Sequence, residues 1–136
     1  MSKATVYTDG AARGNPGRAA IAFVINIDGD ITEHAEVIGS TTNNQAEYRA
    51  MLAACQELAK HSLKNAEITF NSDSELMVKQ LLGEYRVKDA DLKPHFAAIR
   101  ELIDNWERAG NDVELVAVRR EFNKRADQLA NIALDA

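Results

Sequence analysis

The sequence predicts an α/β fold in which a five-stranded mixed sheet, with the element order βββαβααβα, carries helices packed on its faces. Three observations support this prediction. The first 40 residues contain β-type runs separated by turn residues, and apolar residues recur at helical spacing only after them. A strand pattern then follows a helical pattern, which is typical of a crossover connection. A strongly amphipathic stretch, residues 92–106, precedes the last strand pattern.

The first three elements are predicted to be antiparallel strands. Residues 3–9 are β-branched and aromatic, and this strand is expected to end at Asp9, because the next residues, GAARGNPG, are turn and loop formers. Two further apolar runs, residues 19–27 and 31–38, flank Asp28-Gly29. An Asp-Gly pair between β-type runs predicts a hairpin.

The middle of the chain predicts a crossover from helix to parallel strand. Helical spacing over roughly 44–61 indicates the first helix, with Asn43 or Asn44 as its N-cap. Residues 66–72 form the next predicted strand, and Asp73-Ser74 opens a short second helix. A helix between two strands of one sheet implies that the fourth strand runs parallel to the first.

The last third predicts a helix, a strand and a final helix. Apolar residues between 92 and 106 step by four and three, and Gly110 ends this helix. Residues 112–118 have a strand pattern. After a polar loop, apolar spacing from residue 126 to 133 indicates the final helix, which we expect Asn123 to cap.

Composition favours a single domain over residues 1–136. Hydrophobic residues make up 46% and charged residues 27% of the 136, which is close to globular averages and excludes a disordered or coiled-coil chain. No apolar run reaches the roughly 18 residues of a membrane span, and the N-terminus has no signal-like segment. The single Cys55 cannot form an internal disulfide and is expected to be buried. We therefore expect a cytoplasmic monomer without a membrane partner.

Four carboxylates are candidates for a shared site. Asp9 and Asp73 lie at the carboxyl ends of predicted parallel strands, where α/β sheets form their ligand crevice. Glu47 and Asp127 lie in first helical turns, where the helix dipole alone would also favour an acid by about 0.3–1 kcal/mol. Carboxylates that cluster without basic partners repel unless a hard cation neutralises them. Oxygen ligands without His or Cys suit Mg²⁺ or Mn²⁺ rather than zinc.

Four motifs, in order and spread over nearly the whole chain, resemble those of the type 1 ribonuclease H family: YTDGAARGNPG (7–17), TTNNQAEYRA (41–50), NSDSELMV (71–78) and NKRADQLAN (123–131). The resemblance implies a ribonuclease H-like fold and hydrolysis of the RNA strand of an RNA–DNA hybrid, leaving 5′-phosphate and 3′-hydroxyl ends. It also implies two metal ions, Mg²⁺ or alternatively Mn²⁺, which four carboxylates would hold: Asp9, Glu47, Asp73 and Asp127.

The same resemblance implies a set of substrate contacts. Asn15, Asn43 and Asn44 would line the minor groove, where the 2′-hydroxyl distinguishes RNA from DNA. Thr42 would lie nearby on a phosphate of the DNA strand. The alternative for Asn15 is an ordinary loop residue, and for Asn43 and Asn44 it is a helix cap.

The chain departs from the family pattern at three places. Many members carry a basic, Trp-rich protrusion between the second and third helices, where this chain has only residues 83–93. Many also carry a histidine before the last Asp, and the best-aligned residue here is Arg120, which we expect to contact a phosphate. Glu75 stands where a neutral amide is common.

The net charge of −5 argues on its face against a nucleic-acid partner. Two divalent ions add four positive charges and bring the formal balance to −1. A basic cluster beside Asp127 could then meet phosphates, or it could be a solvated loop: Arg119, Arg120, Lys124 and Arg125.

Two other functions remain open at this point. A binding module without catalysis would lack one or more of the four acids, and all four are present. A phosphotransferase with Asp9 as nucleophile would typically need a second Asp two residues later, where this chain has Ala11.

Overall fold

A computed structural model describes residues 2–136, which contain a five-stranded mixed sheet with the strand order β3-β2-β1-β4-β5. The strands are β1 (Lys3–Gly14), β2 (Gly17–Ile27), β3 (Asp30–Thr41), β4 (Glu67–Ser72) and β5 (Asp112–Ala117). The helices are α1 (Asn43–Leu58), α2 (Glu75–Leu81), α3 (Lys93–Arg108) and α4 (Lys124–Asp135), with 3₁₀ turns at Ala59–His61 and Arg120–Phe122. The predicted α/β class and element order are confirmed.

Strand pairing leaves β1 open at one end. β1 pairs with β2 in antiparallel fashion from Ala4 to Gly14, and with β4 in parallel fashion only as far as the pair Thr8 and Ser72. The parallel direction of β4 confirms the predicted crossover. Because β4 ends at Ser72 while β1 continues, a crevice opens beside β1 from Asp9 onward.

The prediction that the first strand ends at Asp9 is wrong. β1 continues to Gly14 because residues 10–14 pair with residues 17–21 of β2, from Gly10 opposite Ile21 to Gly14 opposite Gly17. The small residues that suggest a loop are therefore strand residues. A side chain on Gly10 would collide with the backbone of Ala46 in α1, so glycine marks a close approach between strand and helix.

The main core lies between the sheet and α1 and α3. Its large buried side chains include Tyr48, Met51 and Ile99, and the rings of Phe70 and Trp106 pack with their centroids 5.8 Å apart. Cys55 is buried in α1 as predicted, and burial raises the pKa of its thiol.

A smaller apolar cluster packs α4 against the opposite face of the sheet. β2 contributes to both clusters, because its alternate side chains point to opposite faces. Its buried members are Ala20, Ala22, Ala130 and Leu134.

The predicted cap of α1 is wrong, and Asn123 takes the N-cap position of α4 as predicted but without a capping hydrogen bond from its side chain. Thr42, and neither Asn43 nor Asn44, caps α1: its hydroxyl oxygen accepts a hydrogen bond from the backbone N–H of Gln45 at 3.2 Å. Asn123 does precede α4, but its side chain makes no capping hydrogen bond. Its amide instead donates to the carbonyl oxygen of Thr8 at 2.9 Å. At α1 the neighbouring Thr42 hydroxyl takes the capping role of the asparagines. At α4 the tertiary hydrogen bond to Thr8 directs the Asn123 side chain away from the helix.

The connection between α2 and α3, residues 82–92, contains no helix, in keeping with the missing protrusion. Within residues 2–136 no helix combines the length and the apolar character needed to cross a membrane.

Candidate active site

The four predicted carboxylates converge on one cavity. It has a volume of about 760 Å³ and lies at the end of β4, where the pairing of β1 and β4 stops. Asp9 comes from β1, Asp73 directly follows β4, and Asp127 lies in the first turn of α4. Glu47 lies in the second turn of α1 rather than in the predicted first turn, because α1 begins at Asn43. The other polar residues that line it are Asn43, Asn44, Ser74, Glu75, Arg119, Arg120 and Asn131.

Three of the carboxylates form a tight group. One oxygen each of Asp9, Glu47 and Asp73 lies within 4.8 Å of the others. Asp127 also lines the cavity, and its charge is one of those that raise the pKa of Asp9. The fourth acid therefore extends the group, but its place depends on how α4 docks against β1.

Gly10 positions Glu47. The backbone N–H of Gly10 donates to Glu47 Oε1 at 2.7 Å. This bond requires the first turns of α1 to lie directly against β1, which only a residue without Cβ permits at position 10. Residues 8–10 (TDG) thus supply the Asp9 carboxylate and hold the Glu47 carboxylate through the Gly10 N–H.

The electrostatics of this group disfavour negative charge. Burial, together with the neighbouring Asp73 and Asp127 carboxylates, raises the pKa of Asp9 to about 8, against a smaller opposing effect of Arg120. Burial and the charges of Asp9 and Asp73 also raise the pKa of Glu47 well above its usual value, although the Gly10 N–H opposes this rise. A bound cation would reverse both effects, because it stabilises the ionised carboxylates.

The donor set fits a hard divalent cation. The facing groups are carboxylate oxygens, without a His or Cys ligand among the residues that line the cavity. The nearest basic group is weakly placed: Arg120 Nε lies 4.0 Å from Asp73 Oδ2, and the Arg120 side chain is 84% exposed. A single exposed guanidinium does not neutralise this many carboxylates.

The residues predicted to contact the minor groove and the DNA phosphate lie near the acids, but some of their side-chain atoms already form hydrogen bonds within the protein. Asn43 and Asn44 line the cavity and are exposed, whereas Asn15 and Thr42 are outside its lining. Asn15 Oδ1 accepts from the Asn43 N–H at 3.1 Å, and Asn43 Oδ1 accepts from the Ala12 N–H at 2.9 Å. Both side-chain carbonyls thus tie the β1–β2 hairpin to α1 and leave the amide N–H groups as the available donors.

The predicted basic cluster is only partly available for a phosphate. Arg125 donates to both carboxylate oxygens of Glu33 in β3, at 2.6 and 2.9 Å. Arg119 lies 3.5 Å from Glu121. Arg120 therefore remains the basic residue of this cluster that both lines the cavity and lies near an acid of the site.

Glu75 lines the cavity and is paired with a lysine. Its Oε1 lies 2.7 Å from Lys79 Nζ, one helical turn later in α2. The hydrogen bond and the positive charge of Lys79 lower the pKa of Glu75. The extra acid beside Asp73 thus carries its own counter-charge.

Asn131 is a cavity residue that the sequence interpretation missed. Its Nδ2 donates to the carbonyl oxygen of Asp127 at 2.9 Å and lies 3.3 Å from Asp127 Oδ1. The four-residue spacing from Asp127 on one helix could have indicated this contact.

Comparisons with known proteins identify the family and the relatives of this chain. A family model described as RNase H matches residues 1–135. Ribonuclease HI of Halobacterium salinarum is 42% identical over 132 residues, which cover 95% of this chain and 63% of that protein. A bifunctional protein of Mycobacterium tuberculosis is 34% identical over 98% of this chain and 36% of its own length. The chain thus spans less than two thirds of these relatives.

Solved structures show the same fold. The crystal structure of RNase H1 from Halobacterium salinarum matches with a TM-score of 0.87 and 41% identity, over 98% of each chain. LC11-RNase H1, isolated from compost by a metagenomic approach, was solved in complex with an RNA/DNA hybrid. That complex matches with a TM-score of 0.88 and 40% identity, over 97% of this chain and 96% of the other.

Proposed function

Because the chain belongs to the RNase H family, we propose that residues 1–136 form one catalytic domain that hydrolyses the RNA strand of RNA–DNA hybrids and leaves 5′-phosphate and 3′-hydroxyl ends. One observation carries the proposal most directly: carboxylates from β1, α1 and β4 gather within 4.8 Å of one another, beside exposed asparagine amides. The hybrid bound by the similar LC11 protein supports the substrate class.

Two Mg²⁺ ions, or Mn²⁺ in their place, are the proposed cofactors, and Asp9, Glu47, Asp73 and Asp127 would hold them. When bound, the ions supply Lewis-acid chemistry that activates water and stabilises charge on the leaving oxygen. Their four positive charges also offset most of the net charge of −5, which removes the electrostatic objection to a nucleic-acid partner.

The protein's own side chains have separate tasks in this proposal. The Gly10 N–H holds Glu47 toward Asp9 and Asp73. The amide donors of Asn43 and Asn44 face the groove, where they can hydrogen-bond to acceptors of the hybrid, including its 2′-hydroxyls. Asn15 acts by holding Asn43, and Thr42 by capping α1, with its proposed phosphate contact as a second role.

A cleavage assay tests the assignment. Labelled RNA–DNA hybrid, RNA duplex, DNA duplex and both single strands are incubated with Mg²⁺, with Mn²⁺ and with EDTA, and the products are sized on a denaturing gel. We expect the RNA of the hybrid to be cut and EDTA to abolish cutting. Cleavage of single-stranded DNA at a comparable rate, or full activity in EDTA, would contradict the proposal.

Arg120→Ala is expected to raise KM for the hybrid about three- to fivefold and to leave kcat within about twofold, the pattern of a uniform binding residue. The slope of log affinity against log salt should fall by about one, because one phosphate contact is lost. Steady-state kinetics at two salt concentrations measure both effects. Arg108→Ala, on α3, is the control. A large loss of kcat with unchanged KM would instead mean that Arg120 takes part in proton transfer or product release.

Asn44→Ala is expected to lower kcat/KM roughly two- to tenfold, because it removes a hydrogen bond worth about 0.5–1.5 kcal/mol. Stability should not change, since Thr42 and not Asn44 caps α1. Thermal melts compare it with Thr42→Ala, which should lose about 1 kcal/mol of stability with its cap. If Asn44→Ala melts as low as Thr42→Ala, Asn44 supports the helix rather than the substrate.

A further inference from the structure

Asn123 occupies an unusual position beside the acidic site. Its side chain is 1% exposed, and its Nδ2 donates to the carbonyl oxygen of Thr8 at 2.9 Å. Thr8 is itself fully buried and immediately precedes Asp9. It is also the last residue of β1 that pairs with β4. The amide of Asn123 therefore contacts the strand at the point where the crevice begins.

The backbone of Asn123 connects two other site residues to this contact. Its N–H donates to the carbonyl oxygen of Arg120 at 2.9 Å and closes the 3₁₀ turn. Its carbonyl oxygen accepts from the Asp127 N–H at 3.1 Å in the first turn of α4. A shift of Asn123 would thus move Arg120 and Asp127 together relative to Asp9.

A role in capping does not explain the side chain. A capping asparagine accepts a backbone N–H of the first helical turn through its Oδ1. Here Asn123 Oδ1 has no hydrogen-bond partner, and neither has Thr8 Oγ1, the other buried polar side-chain atom of residues 2–136 left without one. An unpaired buried acceptor is unfavourable, and an alanine would avoid it. The hydrogen bond that Nδ2 donates to Thr8 therefore explains why an asparagine occupies this position, and the unpaired Oδ1 does not.

We propose that Asn123 is a positioning residue: its bond to Thr8 sets the distance between Asp127 and the carboxylates on β1, α1 and β4, and so sets the affinity for divalent metal. This inference rests on the proposed function for its metal and substrate. Groups that orient metal ligands without touching the metal typically contribute 10- to 100-fold to metal affinity or activity. The role differs from that of Asn131, which contacts Asp127 within the same helix.

The chain offers a matched control for the loss of such a bond. Asn71 is also buried, at 7% exposure, and its Nδ2 donates to the carbonyl oxygen of Val6 in β1 at 3.2 Å. It lies in β4, and its side-chain hydrogen bond joins β4 to β1 rather than the turn before α4 to β1. Asn71→Ala therefore removes a buried amide donor to the same strand, β1, but leaves the bond between Asn123 and Thr8 in place.

The test measures metal binding and activity separately. Mg²⁺ affinity of Asn123→Ala is determined by calorimetry and by the Mg²⁺-induced rise in melting temperature, and kcat and KM are measured on the hybrid. We expect Mg²⁺ affinity to fall about tenfold or more, kcat to fall by a similar factor at fixed Mg²⁺, and KM for the hybrid to change less than about threefold. Asn71→Ala should keep both Mg²⁺ affinity and kcat within about twofold of wild type.

Asn123→Ser keeps a small polar side chain that is too short to reach Thr8, and it serves if the alanine variant does not fold. If either folded Asn123 variant keeps wild-type Mg²⁺ affinity, or loses no more than Asn71→Ala, the inference is overturned and Asn123 only packs. Should the wild-type protein bind Mg²⁺ but fail to cut the hybrid, the proposed function falls, while the calorimetry still decides the role of Asn123.

Discussion

Asp9→Asn is expected to reduce hybrid cleavage at least about 1,000-fold and, in the absence of metal, to raise the melting temperature. The loss of activity follows because a metal ligand contributes several kcal/mol of transition-state stabilisation. The gain in stability follows because the Asp9 carboxyl is buried beside Asp73 and Asp127, where ionisation is unfavourable. A stabilisation of 1 kcal/mol would raise the melting temperature of a domain of this size by about 4 °C.

The pH dependence of the metal-free protein provides the check. The pKa of Asp9 is about 8 in the folded protein, against an ordinary value of 3.8, so between these values the folded state binds more protons than the unfolded state. Stability in EDTA should therefore be greatest at low pH in this window and fall as the pH rises through about 8. Asp9→Asn should flatten this dependence.

Thermal melts with and without Mg²⁺, across this pH range, measure these effects. Saturating Mg²⁺ should stabilise the wild-type protein and stabilise Asp9→Asn much less, since the variant has lost a ligand. Asp73→Asn is the companion variant, because it removes a charge that faces Asp9. If both variants melt well below wild type in EDTA, these acids support the fold and the metal site is not where we place it.

Gly10→Ala is expected to reduce cleavage about 100-fold and to destabilise the protein by about 1–3 kcal/mol or more. The added methyl group would collide with the carbonyl group of Ala46 and the backbone nitrogen of Glu47. These are backbone atoms and cannot rotate away, so the start of α1 must move off β1. That movement breaks the 2.7 Å bond from the Gly10 N–H to Glu47 and withdraws Glu47 from Asp9 and Asp73.

Chemical denaturation and cleavage kinetics measure the two losses. Gly29→Asn is the control for activity, because a Cβ at Gly29 meets nothing within 4 Å and this turn lies beside Lys3, at the end of β1 away from Asp9. The control should lose about 1–2 kcal/mol of stability, because the φ of Gly29 is positive, but keep activity near wild type. Near-normal cleavage by Gly10→Ala would show that Glu47 does not need contact with β1.

Whereas the family resemblance added Glu47 and Asp127 to the site, the sequence alone determined the element order, the parallel direction of β4 and the proximity of Asp9 to Asp73. These follow from patterns within short segments: alternation and turn residues in the first 40 positions, and helical spacing from Ala50 to Leu58. Asp9 follows the last residue of β1 that pairs with β4, and Asp73 follows β4 itself, so the parallel direction of these two strands brings both acids to one edge of the sheet. Local physics was sufficient there because each signal lies within the element that it specifies.

Only the tertiary structure decided how side chains at the edge of the site are used. β1 extends to Gly14 because β2 pairs with it, Arg125 is committed to Glu33, and the amide of Asn123 donates to Thr8 rather than capping α4. The sequence separation is 92 positions for the contact of Arg125 with Glu33 and 115 positions for that of Asn123 with Thr8. The local preference of a residue for a helix, strand or cap carries no information about partners this far away in the sequence. The hydrogen bond that a polar side chain makes near the end of a helix or strand therefore depends on which group the fold brings within reach.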